Sequence, residues 1–173
     1  MKKNNVRFYE DDILKKVQQT EMSILKDFIR VCEENNLTYF AFAGTGIGAL
    51  RHQGFIPWDD DIDVALLRDD YEKLLEIFKR DYSDKYTVVN AEEYPTYPLM
   101  TTRITLKDTL FVEYPLKRIK NCPLGIFLDV YALDSASANK KEYNRQFQCA
   151  TLNFCRLKCN CDSGNKRRVA NDG

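Results

Sequence analysis

Phe42-Ala43-Gly44-Thr45-Gly46-Ile47-Gly48-Ala49-Leu50-Arg51-His52-Gln53-Gly54-Phe55-Ile56-Pro57-Trp58-Asp59-Asp60-Asp61-Ile62-Asp63-Val64 is the stretch on which the reading of this chain turns. It passes from an apolar strand through a glycine-rich turn and a short helix into an acidic strand. Asp59, Asp60, Asp61 and Asp63 follow directly on Phe55-Ile56-Pro57-Trp58. Carboxylates packed this closely repel, and burying them is costly without a compensating cation. A run of aspartates is most often a solvated turn. Here Asp61 and Asp63 alternate with Ile62 and Val64 and run into Ala65-Leu66-Leu67. That is strand patterning, which places both carboxylates on one face and favours a metal-binding strand.

Upstream, Leu14, Val17, Ile24, Leu25, Phe28 and Cys32 recur at helical steps, predicting an amphipathic helix from about Tyr9 to Asn35. Leu37 to Ala43 reads as a short strand, broken by Gly44. Thr45 is expected to cap a helix that runs to His52 and stops before Gly54 and Pro57, with His52 as its C-cap. Gly46 and Gly48 imply either close helix packing or a backbone open to a phosphate. Trp58 is expected in the core rather than as a base-stacking platform.

Downstream, Asp69 and Glu72 have capping-box spacing for a helix to about Lys79, burying Tyr71, Leu74, Leu75 and Phe78. Tyr86 to Asn90 reads as a strand, and Leu99 to Leu106 as another that turns at Lys107-Asp108 into Thr109 to Glu113, a hairpin. Gly125 to Tyr131 alternates Ile126, Leu128 and Val130 with Phe127, Asp129 and Tyr131. Asp129 on so apolar a strand is either catalytic or a structural carboxylate paired with Arg103. A last helix from about Asn139 is expected to bury Tyr143, Phe147, Ala150 and Phe154.

The charged fraction of 30% and hydrophobic fraction of 44% are those of an ordinary globular protein. With 173 residues, one domain over 1–161 and a flexible tail over 162–173 are expected. Formal net charge is +0, so no global field favours nucleic acid. The polar start and the lack of a long apolar run predict no secretory signal and no transmembrane segment, hence a cytoplasmic protein. The basic residues Lys140, Lys141, Arg145, Arg156, Lys158, Lys166, Arg167 and Arg168 read as a solvated face, compatible with peripheral contact at the inner membrane face. Cys149, Cys155, Cys159 and Cys161 cluster, but their spacing matches no common structural zinc pattern, and reduced thiols are expected.

A Gly-Thr turn, an Asp-x-Asp strand and a third aspartate on a later strand make a device for holding Mg²⁺ or Mn²⁺ against phosphates. Ala43-Gly44-Thr45 followed by Asp61-Ile62-Asp63-Val64 resembles the polymerase-beta-type nucleotidyltransferase superfold. The resemblance is closer to the LicD family. It is carried by Gly44-Thr45, Gly48-Ala49, Arg51-His52, Gly54 to Asp63, Arg68, Asp70-Tyr71-Glu72, Gly125 to Val130 and Leu133-Asp134. Arg103, Thr109 and Glu113 resemble the family's intervening segment. The family's usual Gly-Gly-Thr-Leu-Leu-Gly is here Ala43-Gly44-Thr45-Gly46-Ile47-Gly48, and its full-length members continue with several helices beyond Asp134.

The resemblance implies an α+β fold, a nucleotidyltransferase-like mixed sheet flanked by helices, with an N-terminal and a C-terminal helix. It implies transfer of phosphocholine or a related alcohol phosphate from CDP-choline or a similar donor to a glycan or lipid-linked sugar, such as lipopolysaccharide or teichoic acid. Asp61, Asp63 and Asp129 would hold the metal and carry catalysis; Asp129 is also a candidate base. Gly44, Thr45, Arg51 and Arg103 would contact donor phosphates. Asp59 and Asp60 would be second-rank or solvated. A nucleotidyltransferase using NTP, or a non-catalytic nucleotide-binding relative, are the competing readings.

Overall fold

The computed structural model describes residues 10–113 and 116–152. Helix α1 (Asp11–Glu34) opens the fold. Val17, Glu21, Ile24, Phe28 and Val31 recur at three- and four-residue steps and are all buried. The helix ends in a Schellman motif: Asn36 takes φ 53, its N–H donates to Glu33 O, and Leu37 N–H donates to Cys32 O at 2.8 Å. Asn tolerates that left-handed position, which is why the Asn35-Asn36 pair stops the helix there.

Strand β1 (Tyr39–Ala41) leads into helix α2 (Ala43–His52), and strand β2 (Asp63–Leu67) into helix α3 (Arg68–Asp81). Strands β3 (Tyr86–Val89), β4 (Thr102–Leu106) and β5 (Phe127–Leu133) follow, and a fourth helix, α4, spans 140–152. The five strands form one mixed sheet in the order β1-β2-β5-β4-β3. Only β2 and β5 are parallel; the other three pairings are antiparallel. No helix among the described residues is long and apolar enough to cross a membrane.

The core lies on one face of the sheet. Ile24, Phe28 and Val31 of α1 and Leu74, Leu75 and Phe78 of α3 pack with Val64, Leu66, Val88, Ile104, Leu128 and Val130. Each fully buried aliphatic or aromatic side chain contributes about 1.5–3 kcal/mol, so this face anchors the fold. Alternation along the strands leaves Asp63, Asp129 and Arg103 for the opposite face.

Several local expectations are corrected. Thr45 and Asp69 are not caps: the extended residues Phe42 and Leu67 occupy those positions, because each strand runs straight into its helix, and neither makes a side-chain cap bond. The C-cap of α2 is Gln53 at φ 54, not His52. Thr109–Glu113 does not form a hairpin with β4, whose two edges are already taken by β3 and β5. With Asp108 at φ 59 the chain turns away and follows 124–126 instead: Phe111 N–H donates to Leu124 O and Ile126 N–H to Thr109 Oγ1. Gly125 permits that approach, since a Cβ there would fall 2.6 Å from Thr109 Oγ1.

Trp58 is 77% exposed rather than in the core. Asp59 N–H donates to Ile56 O, so Pro57 and Trp58 are the corners of a β-turn that faces water. Helix α4 does not bury Tyr143 or Phe147, which are 47% and 63% exposed, and Ala150 is exposed too. Phe154, the tail 162–173, and Cys155, Cys159 and Cys161 lie outside the described residues, as do Arg156, Lys158, Lys166, Arg167 and Arg168. Cys32, Cys122 and Cys149 are free.

Candidate functional site

Strand register assembles the centre of the site. Asp63 of β2 lies beside Asp129 of β5, and Asp129 opposes Arg103 of β4, so the three form one row across three adjacent strands. Asp61, just before β2, completes the group: carboxylate oxygens of Asp61, Asp63 and Asp129 all lie within 4.8 Å of one another. A second triad, Asp59, Asp60 and Asp61, meets the same criterion and shares Asp61.

Each of these carboxylates is positioned. Gly44 N–H and the Tyr131 hydroxyl donate to the Asp63 carboxylate, while Asp63 N–H donates to Thr45 Oγ1 at 2.7 Å. The start of α2 is thus clamped on Asp63 in both directions. Asp129 accepts from Arg103 Nε at 3.0 Å and from Thr101 Oγ1 at 3.3 Å. Arg103 also donates through Nη1 to Glu113 Oε2 at 2.5 Å, and its guanidinium lies 3.5 Å from the centre of the Phe127 ring. A paired and stacked guanidinium is what makes a buried carboxylate at Asp129 tolerable. A Cβ at Gly44 would fall 2.6 Å from Asp59 Oδ2, so a bare backbone there leaves room for that carboxylate.

The electrostatics are those of an anionic pocket short of cations. Burial, then the neighbouring Asp63 and Asp59 charges, push Asp61 up to about 7. Burial also raises Asp59, Asp63 and Asp129 above the ordinary carboxylate range. At Asp59 a side-chain hydrogen bond with Asp61 works against the effect of burial.

One buried acid near the site escaped the sequence reading. Glu21 of α1 is 0% exposed, and neither of its carboxyl oxygens has a hydrogen-bond partner. Burial pushes it up to about 10, and Asp61, Asp60, Asp129 and Asp59 push it in the same direction. The signal was there: the buried stripe of α1 steps from Val17 to Ile24, and the position between them, where an apolar residue belongs, is Glu21.

Beside the triads lies a cavity of about 300 Å³, lined by Met22, Leu25, Gly44, Thr45, Phe55, Ile56, Asp59 and Asp61 among others. Arg51 stands exposed on the last turn of α2, outside the hydrogen bonds that hold the triad. Arg68 and Asp134 form a bidentate pair at 2.7 and 2.6 Å where the parallel strands β2 and β5 end.

Residues 36–114 match the family described as LicD/FKTN/FKRP, nucleotidyltransferase domain. The chain is thus similar to the LicD family over that segment, a little less than half of its length. It is 40% identical over 80 residues to the lipopolysaccharide cholinephosphotransferase LicD of Haemophilus influenzae, an overlap of 46% of this chain and 30% of that protein. An uncharacterized protein of Rickettsia prowazekii is 27% identical over 143 residues, covering 72% of this chain and 52% of its own length. Another from Rickettsia typhi is 38% identical over 60 residues, 33% of this chain and 19% of that protein. The chain therefore spans about half or less of the length of each of these relatives. No solved structure matches it. The LicD match contains Asp61, Asp63 and Arg103 but ends before Asp129, which only the fold brings to them.

Proposed function

We propose that this chain is a member of the LicD family and transfers phosphocholine, or a related alcohol phosphate, from a CDP-linked donor to a sugar hydroxyl of a cell-surface glycan. The observation that carries the reading is the convergence of Asp61, Asp63 and Asp129 from separate stretches onto one site. An all-oxygen donor set without histidine suits Mg²⁺ or Mn²⁺. A carboxyl raised to about 7 by its like-charged neighbours is a site that gains from a cation. When bound, such an ion neutralises charge on the transferring phosphoryl group and on the departing phosphate.

The chain's own residues supply the rest. The Gly44-Thr45 turn holds Asp63 in place and borders the cavity where the donor's phosphates and alcohol group sit. Met22, Leu25, Phe55 and Ile56 give that cavity an apolar wall, and Asp59 a negative one. Together these suit a trimethylammonium group, which needs burial and charge balance but donates no hydrogen bonds. The acceptor oxygen forms a bond to the phosphorus that bears the alcohol. The bond from that phosphorus to CMP breaks, and the hydroxyl proton passes to a carboxylate of the cluster. Arg103 acts through Asp129, which it orients, rather than on donor phosphate, since Asp129 and Glu113 already occupy its guanidinium.

Release of CMP from CDP-choline by the full chain, with Mg²⁺ and a glycan acceptor, tests the reading. Asp61→Asn is expected to lower it at least a thousandfold. Pyrophosphate release from an NTP with no CMP from CDP-choline would overturn the reading in favour of a nucleotidyltransferase.

A further inference from the structure

A second cavity, of about 640 Å³, opens where helix α3, residues 90–92 and the start of β4 meet β5. It shares no lining residue with the cavity beside Asp61. Two of its lining side chains nevertheless reach the aspartate row. Thr101 Oγ1 donates to Asp129 Oδ1 at 3.3 Å, and the Tyr131 hydroxyl donates to the Asp63 carboxylate. The row is therefore bordered by two cavities: one contains Asp59 and Asp61 in its wall, and the other lies one hydrogen bond from Asp63 and Asp129. Its size is that of a small-molecule site.

Charge decides what the second cavity can hold. Both of its cationic side chains are occupied, Arg68 by a bidentate pair with Asp134 and Lys79 by Glu93. Glu72, Glu76 and Glu92 line it as well, and among the described residues no ion pair reaches them. A phosphate or carboxylate entering here would meet like charges and no free cation. Hydroxyl groups would instead donate to these carboxylates in charge-assisted hydrogen bonds. The half-buried Tyr71 and Tyr131 add ring surface for an apolar face.

Asn90 makes the same point from the donor side. It is 7% exposed, and its Oδ1 accepts from Glu92 N–H at 3.1 Å and from Glu93 N–H at 2.9 Å, which turns the loop. Among the described residues its Nδ2 donates to nothing, although Asn90 lines the cavity. A nearly buried carboxamide with one idle donor suits a ligand that brings an acceptor oxygen. Arg68, Tyr71, Glu72 and Asp134, which carry part of the LicD resemblance, also lie in this wall, and the metal triad makes no use of them.

We propose that this cavity is the acceptor site and that it takes a saccharide free of acid and phosphate groups. Sugar hydroxyls donate to Glu72 and Glu92, Asn90 Nδ2 donates to a sugar oxygen, and the hydroxyl to be modified is presented to the row past Thr101 and Tyr131. Its role as acceptor site rests on the proposed function; its selectivity for sugar does not.

The test is saturation-transfer NMR on the full chain in EDTA, with the methyl glycosides of glucose, galactose, mannose, N-acetylglucosamine and N-acetylgalactosamine as probes. No donor is present, so a failed CMP assay and a failed saccharide site are distinguishable. At least one glycoside is expected to bind, with the uronate and 6-phosphate of the same sugar at least about tenfold weaker. Asn90→Asp keeps both turn bonds through Oδ1 and removes only the idle donor, so it should weaken the glycoside about fivefold or more. Glu72→Gln, at an exposed position of α3, should do the same and carries the test should Asn90→Asp fail to fold. No binding by any glycoside, an acidic analogue that binds as tightly, unchanged affinity in a folded Asn90→Asp, or displacement of the glycoside by CMP would overturn the proposal.

Discussion

Arg103 offers the sharpest test of how the site is held. Its side chain is 5% exposed and Asp129 is 7% exposed, so the pair has almost no solvent screening. Arg103→Met keeps most of the volume but leaves Asp129 buried beside Asp63 without its cation. Breaking one side of a buried pair costs about 3–5 kcal/mol, with up to ~1–2 kcal/mol more for the stacking on Phe127. That is a large part of the ~5–15 kcal/mol that holds a typical domain together. Urea denaturation in EDTA measures it. The double variant Arg103→Met/Asp129→Leu removes the stranded charge and should recover most of the loss, because apolar replacement of a buried pair is often neutral. The deficit of the single variant should also shrink in acid, where Asp129 is protonated. A loss under about 1 kcal/mol, or a double variant no better than the single, would refute the argument that Arg103 neutralises a buried Asp129.

Three further outcomes are expected. Asp61 and Glu21 have folded pKa values above their ordinary ones, so the metal-free folded state binds more protons than the unfolded chain. Its stability should fall as pH rises from about 4 towards 7 and beyond, by up to ~1.4 kcal/mol per pH unit for each group; a flat thermal-denaturation profile in EDTA would contradict this. Ala43 sits at φ 42, a left-handed conformation costing a non-glycine residue about 1–2 kcal/mol, so Ala43→Gly should stabilise by ~0.5–1 kcal/mol after the greater freedom of unfolded glycine is subtracted, read as a rise in Tm. Gly48→Ala should cost about 1–2 kcal/mol in denaturant despite alanine's better helix propensity, because its Cβ would fall 2.5 Å from Gly54 O and 3.0 Å from Ile56 N, both backbone atoms.

Much of the site could be read from local alternation. Ile62 and Val64 fixed the side to which Asp61 and Asp63 turn, and Leu128 and Val130 did the same for Asp129. What alternation cannot carry is register between strands. That Asp63 and Asp129, 66 positions apart, are neighbours on parallel strands is set by which edges the sheet leaves open. The same limit explains the mistaken hairpin, since nothing local to Thr109 tells that β4 already has two partners. The cap assignments failed because Thr45 and Asp69 have the right chemistry, whereas the sharp strand-to-helix junctions give the cap positions to Phe42 and Leu67. The amphipathic pattern of α4 was real, but a stripe of aromatics says nothing of what it packs on, and Tyr143 and Phe147 are exposed. Glu21 was hidden for the opposite reason: a lone acid inside an apolar stripe reads as an interruption until its neighbours across space are known.

The place of β5 bears on how the chain becomes itself during synthesis. Among the described residues it is the last strand in the sequence, yet it occupies the middle of the sheet, between β1-β2 and β4-β3. Until the ribosome has delivered it, the emerging chain holds two separate antiparallel ribbons, and a two-stranded ribbon is marginal alone in water. The family-matched stretch 36–114 is in that position: it carries four strands and nothing that joins them. Arrival of β5 therefore does two things in one event. It knits the ribbons into a sheet, and it brings Asp129 beside Asp63, so closing the sheet and assembling the aspartate row are a single event.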